Sequence, residues 1–292
     1  MLETRIRPRG PYSLRLSGGL RSDATRIVRD GVVSALLDVD GRLEHVAAWQ
    51  LPDGIVCLRA PGEASLERLR FVLALDDDHT PFLRRFAADS LLARTLRELR
   101  GLRPLRLPTV AHALVRALCG QLIESSRARA IERRIVRAAM PASGGLHAPL
   151  TAEALCRLSA AELRALGLHA RRSATLVRLC RELDLERLRE LPTGPVAERL
   201  ERERGLGPWS VGVICLEGLG RPERGLVGDL GLVRLCGALR GRRAEASDTE
   251  ELLDAYGEWA GLASVYLLAG WSRGLLPVTR PLRRGLPPHI KP

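Results

Sequence analysis

A chain of 292 residues, 46% of them hydrophobic, is long enough for one large domain or two ordinary ones with a full core. Its formal charge of +12 points toward a polyanionic partner, nucleic acid first, although an arginine-rich composition alone can arise without any partner. No run of 18 apolar residues occurs and none follows the basic N-terminus, which predicts a protein that is neither exported nor membrane-spanning, with a cytoplasmic, nucleoid-associated location.

The only lysine is Lys291, next to the end of the chain, so the folded body offers no internal amine for a Schiff base. Six cysteines, Cys57, Cys119, Cys156, Cys180, Cys215 and Cys236, are widely spaced and never form CxxC, as expected of buried thiols in a reducing compartment.

Up to about residue 60 the apolar residues alternate. The alternation covers Tyr12, Leu14 and Leu16, then Val33 to Val39, then Leu43 to Trp49, then Ile55 to Leu58. The dipeptides Asp40-Gly41 and Asp53-Gly54 between these runs are hairpin signals, and they predict a small antiparallel sheet. A helix from about Ser65 to Leu75 is expected to cover it. The acidic run Asp76, Asp77, Asp78 with His79 lacks metal-ligand spacing and is read as a solvated boundary loop. From about Phe82 the period becomes 3.6. Pro108-Thr109 starts one helix, and a capping box at Ser159 and Glu162 opens another that stops at Gly167. A second box at Ser247 and Glu250 opens a helix toward Trp259, and a last helix spans about Leu262 to Trp271. The expected organisation is a mostly α protein with a small N-terminal α+β domain (1–81), an all-helical body (82–285) of two subdomains flanking a cleft, and a tail (286–292).

The stretch from Leu200 to Ile214 reads as a helix, a tight Gly205-Leu206-Gly207 turn, and a second helix with Pro208 in its first turn. Paired glycines admit a close backbone approach, and the following helix start presents free N–H groups, which together make a phosphate clamp. Small Ser210 suits the packing of the two helices. Twenty-two residues beyond Gly207 stands Asp229, just ahead of another helix. An aspartate there can be an ordinary N-cap. It also stays ionised beside the helix start, and such a carboxylate can stabilise positive charge building on a sugar as an N-glycosidic bond breaks.

Gly205-Leu206-Gly207-Pro208-Trp209-Ser210 with Gly228-Asp229 resembles the helix-hairpin-helix, Gly/Pro-rich loop, aspartate superfamily of DNA glycosylases. Leu105-Arg106-Leu107-Pro108 and Gly120-Gln121-Leu122-Ile123 are similar to its bacterial 3-methyladenine DNA glycosylase II branch. The resemblance implies an enzyme that binds double-stranded DNA as a monomer, flips an alkylated purine and hydrolyses its glycosidic bond with Asp229. Gly205, Leu206, Gly207, Pro208 and Ser210 would hold the DNA backbone. Leu122 would be the wedge filling the gap left by the flipped base, with Gln121 beside it, though Leu122 fits a buried core position as well. Trp209 and Trp271 match two pocket tryptophans, with core burial the alternative for each. Val213 and Leu230 stand where relatives often carry tyrosines.

Trp209 also occupies the place of the lysine in lyase-competent relatives, which implies a monofunctional enzyme that leaves an abasic site. The resemblance implies that no cofactor is required. Only Cys236 follows Asp229, so no iron-sulfur cluster is expected. The family hairpin implies a monovalent cation, sodium or potassium, at backbone carbonyls of Glu201, Glu203 and Gly205. Arg127, Arg129, Arg133, Arg134 and Arg137 lie on one predicted helix, where they suit phosphates or a solvated face equally. Two other functions are weighed against this one: a noncatalytic hairpin DNA-binding protein, and a glycosylase for oxidised or mismatched bases.

Overall fold

The computed structural model describes residues 1–18 and 23–278. The expected tail and residues 279–285 lie outside these.

Five antiparallel strands form one sheet: β1 (Leu2–Ile6), β2 (Arg26–Arg29), β3 (Val32–Val39), β4 (Arg42–Gln50) and β5 (Val56–Ala60), in the order β1-β5-β4-β3-β2. Asp40 (φ +51°) and Gly41 (φ +77°) close the β3–β4 hairpin, the two-residue turn whose twist matches that of the flanking strands. Asp30 and Gly31 repeat those angles between β2 and β3, so a third Asp-Gly signal marks a strand the alternation alone did not reveal. The alternation at Tyr12, Leu14 and Leu16 does not form a strand: Leu14–Gly18 is a single helical turn. Helix α1 (Glu63–Val72) covers the sheet, burying Leu69 against Leu37, Val46 and Leu58.

The helical body has a separate, larger core. At its centre lies α2 (Val110–Gly120), buried at every residue from Val110 to Cys119. The Thr109 hydroxyl accepts from the His112 N–H at 3.1 Å, and Glu186 accepts from the N–H groups of Val110 and Ala111, so the first turn has its donors satisfied without water. Helix α3 (Ser125–Ala139) buries Ala128, Ile131, Glu132, Ile135 and Val136, a regular inward stripe that includes one acid. The body also holds α4 (Ala170–Glu182), α5 (Thr193–Glu201), α6 (Pro208–Val213), α7 (Leu230–Arg240), α8 (Ala246–Asp254) and α9 (Ala260–Arg273), with shorter helices at Thr80–Arg85, Ala93–Glu98, Ala152–Cys156 and Ala160–Ala165.

The box at Ser159 and Glu162 forms as expected, with Ser159 Oγ accepting from the Glu162 N–H and Glu162 from the Ser159 N–H. That at Ser247 and Glu250 does not. Helix α8 is capped two residues earlier, where Asp248 accepts from the Glu245 N–H at 2.7 Å, and it ends at Asp254, short of Trp259.

Two arginines in the segment between sheet and helical body clamp them together. Arg103 is fully buried, donating to the carbonyls of Ala74 and Pro11 with its guanidinium over the Tyr12 ring. Arg106 donates to both oxygens of Asp77, at 2.5 and 2.6 Å, and to the Gly220 carbonyl. Asp77 is thus an anchor rather than part of a solvated loop. Among the described residues, no helix is long and apolar enough to cross a membrane.

Candidate active site

A cleft of about 760 Å³ opens between α2, α3 and α6 on one side and the start of α7 on the other. Its position follows from three helices that each turn a spaced set of residues toward it. Arg116 and Gly120 come from α2, Ser125, Arg129 and Glu132 from α3, and Trp209 and Val213 from α6.

Asp229 stands at the rim as the N-cap of α7. Its Oδ1 accepts from the N–H groups of Gly231 (2.7 Å) and Leu232 (3.3 Å). Its Oδ2 accepts from the indole N–H of Trp209 at 3.0 Å. The residue is therefore both cap and cleft acid, with one oxygen serving the helix start and the other turned to α6. The backbone ahead of it is fixed by Gly228, whose φ of +81° suits glycine and whose N–H donates to the buried Thr249 hydroxyl.

The hairpin joins α5 to α6. Gly205 has a φ of +97°, and a Cβ there would lie 2.5 Å from Thr175 Oγ1. Gly207 caps α6 in extended conformation with open space where a Cβ would be. Leu206 is buried and fastens the turn to the core, while Pro208 opens α6 without needing an acceptor. The N–H groups of Gly207, Trp209 and Ser210 have no intrahelical acceptor and lie at the cleft edge. Behind the turn, Arg178 pairs with Glu203 at 2.7 Å and donates to the Arg204 carbonyl.

Gln121 ends α2 and donates through Nε2 to both the Gly205 carbonyl and Ser210 Oγ, each at 2.9 Å. This ties the Gly-Gln-Leu turn to the hairpin. The next residue, Leu122, is 83% exposed in a left-handed conformation (φ +54°) at the cleft mouth. A large apolar side chain held out in a strained backbone is the opposite of a core leucine.

Trp209 lines the cleft and Trp271 does not. Trp271 is buried in the helical core on α9, which removes the pocket position expected of it; Leu268 of the same helix faces the cleft instead. Val213 and Leu230 both line it, and Trp209 is the single aromatic among its described lining residues. Of the carbonyls expected to hold a cation, that of Glu203 accepts from the Leu206 N–H and that of Gly205 from Gln121. On α3, Arg134 donates to the Leu166 carbonyl and Arg129 pairs with Glu132, whereas Arg127 and Arg137 are exposed.

The residues that sequence reasoning missed form the far wall. Arg116, on α2, is nearly fully buried and uses its whole guanidinium on acids. Its Nη1 donates to Glu217 at 2.6 Å, its Nη2 to Glu132 at 2.7 Å and to Asp23 at 3.2 Å, and its Nε to Glu132 at 3.1 Å. His112 Nε2 lies 3.1 Å from Glu132 Oε1. Burial alone would push the Glu132 carboxyl up, but Arg116, His112 and Arg129 hold it well below the usual carboxylate range. Burial would likewise raise Asp23, yet Arg26, Arg116 and His112 bring it down to about 2. All these groups except Arg26 and His112 stand at or directly behind the cleft wall. No local motif could have revealed them, because the four partners come from four separate segments.

No family model matches the chain. It is 26% identical over 204 residues to a DNA-3-methyladenine glycosylase of Bacillus subtilis, covering 66% of this chain and 67% of that one. Its fold is that of the 3-methyladenine DNA-glycosylase from Archaeoglobus fulgidus, with a TM-score of 0.80, 22% identity, and coverage of 91% of this chain and 97% of the other. It also superposes on the Clostridium acetobutylicum 8-oxoguanine glycosylase/lyase in complex with double-stranded DNA, with a TM-score of 0.71, 15% identity, and coverage of 94% and 99%. The hairpin, the aspartate and the sheet-plus-helix architecture stand together in this chain, and its fold is the one these glycosylases share.

Proposed function

We propose that the protein is a monofunctional DNA glycosylase of base-excision repair, acting on alkylated purines in duplex DNA and leaving an abasic site. The observation that carries this reading is the double engagement of Asp229: Oδ1 is fixed by the start of α7 while Oδ2 borders a base-sized cleft beside the hairpin. A carboxylate so fixed needs little reorganisation when the sugar becomes cationic, and its stabilisation is larger in the transition state than in the ground state. The base leaves with the bonding electron pair, and water adds to the anomeric carbon, giving up one proton to solvent and keeping the other as the sugar hydroxyl. An alkylated purine already carries positive charge, so one acid suffices where ordinary glycosides need two.

The hairpin N–H groups and the net charge of +12 supply phosphate binding. Exposed Leu122 enters the stack as the nucleotide leaves it. The lack of any lysine but Lys291 supports hydrolysis without strand cleavage. An acid at the rim of a DNA groove weakens phosphate binding, which argues against a purely binding protein.

The test is release of methylated purines from methylated duplex DNA by wild type and Asp229→Asn. Wild type should release free base, with strand breaks only after alkali, and the variant should release none while binding DNA at least as tightly. Retained excision in the variant would overturn the assignment.

A further inference from the structure

The far wall of the cleft is polar where a pocket for electron-poor bases would be expected to carry ring faces. Trp209 is the single aromatic among the described lining residues, and Arg116, Arg129, Glu132 and Glu217 stand together at the cleft. Resting on the glycosylase reading above, we infer that Glu217 is the residue that reads the flipped base, accepting a hydrogen bond from the exocyclic amino group of an alkylated adenine.

Three observations place it there. Trp209, Val213 and Glu217 are spaced four apart along one helical run, and all three line the cleft. Eight residues separate Trp209, which is bonded to Asp229, from Glu217 along this wall of the cleft. The run also widens to an i to i+5 (π-helical) pattern at Ile214–Leu219, a local irregularity that changes where side chains point and recurs at functional sites. It closes at Gly220 (φ +72°), and the Glu217 carbonyl there accepts from the Leu107 N–H at 2.6 Å.

The second observation is the saturation of Arg116. Its nitrogens are committed to Glu217, Glu132 and Asp23, so the guanidinium positions acids and does not itself offer donors to a ligand. Arg116 thereby holds Glu132 and Glu217 at the cleft as acceptors, with the more exposed Arg129 beside them. Third, among these three acids Glu217 is the most exposed, its side chain 12% accessible against 3% for Glu132 and 7% for Asp23. A carboxylate there accepts from an amino group and repels a carbonyl oxygen at the same ring position. It also attracts a cationic base without stacking it between rings. Hydrogen bonding to a fixed partner discriminates more sharply than apolar fit, because the mismatched base sets an oxygen against a buried acid.

Methylated duplex DNA contains 3-methyladenine, with an amino group at position 6, and 7-methylguanine, with an oxygen there, so both products can be measured in one reaction. Glu217→Gln should lower 3-methyladenine release about 10-fold or more while 7-methylguanine release changes less than about 3-fold. Glu132→Gln, which disturbs the same arginine from a deeper position, should slow both equally and leave their ratio unchanged. Should Glu217→Gln melt below the assay temperature, Glu217→Asp keeps the charge one methylene further back, and the same selective loss is expected. Equal loss of both products in a folded Glu217 variant, or an equal ratio shift in Glu132→Gln, would overturn the inference. Wild type that releases neither base would instead overturn the glycosylase reading on which it rests.

Discussion

The indole N–H of Trp209 donates to Oδ2 of Asp229 at 3.0 Å. The bond fixes the second carboxylate oxygen from α6 while the start of α7 holds the first. Trp209→Phe keeps the ring and removes the donor, which should slow base release about 10- to 100-fold, in line with a hydrogen bond to a charged group. Single-turnover rates at saturating enzyme, with DNA affinity measured alongside, check this; an unchanged rate would show that the bond does not orient the acid.

Leu122 projects into solvent and contributes little to the fold. Leu122→Ala should leave the melting temperature within about 1 °C, since exposed truncations rarely shift stability by more than about 0.5 kcal/mol. Excision from duplex DNA should nevertheless fall by about 10-fold, and release from single strands, which have no partner strand to fill, should fall less. Equal losses on both substrates would remove the wedge.

The two hairpin glycines should separate by consequence. Gly205→Ala forces a Cβ to within 2.5 Å of Thr175 Oγ1 at a φ of +97° and should cost about 1–3 kcal/mol of stability. Gly207→Ala meets open space at φ −108° and should leave stability unchanged. Its added methyl group points to where DNA would approach, so its binding should weaken at moderate salt. Calorimetry and salt-dependent binding of the two variants distinguish these effects.

Acid sensitivity follows from Asp23. Its carboxyl is lowered from an ordinary value of 3.8 to about 2, so the stability it contributes is fully present above pH 4 and is lost as pH falls through about 2. The loss should be about 2 kcal/mol, because each tenfold gain in acidity on folding is worth about 1.4 kcal/mol. Glu132 is shifted in the same direction and adds to the slope. Denaturant unfolding at pH 6, 4 and 2 should show a shallower acid dependence in Asp23→Asn than in wild type.

The parts of the site that are continuous in sequence were legible there. The hairpin turn, Asp229 and the Gln121-Leu122 turn each announce themselves through local backbone needs, and the structure brings Gly207 to Ser210, Gln121, Leu122 and Asp229 to one cleft. Trp271 misled because a helical tryptophan carries no sign of which face it occupies, and a rotation of one position decides between wall and core. The helical turn at Leu14–Gly18 was masked by chance alternation at Tyr12, Leu14 and Leu16, too short a run for either period to prevail. The α8 cap shifted by two residues because Glu245 and Asp248 have the same spacing as Ser247 and Glu250. Arg116 and its acids could not have been read at all, since only folding brings Asp23, Glu132 and Glu217 to one guanidinium.

That shared guanidinium ties the evolution of four positions together. Loss of any one acid would leave Arg116 short of a partner in a buried setting, and loss of Arg116 would leave three carboxylates facing one another. Related chains should therefore carry the quartet whole or replace it whole, so changes at this cleft wall would arrive in linked steps, with the segment around Asp23 travelling with the helical body.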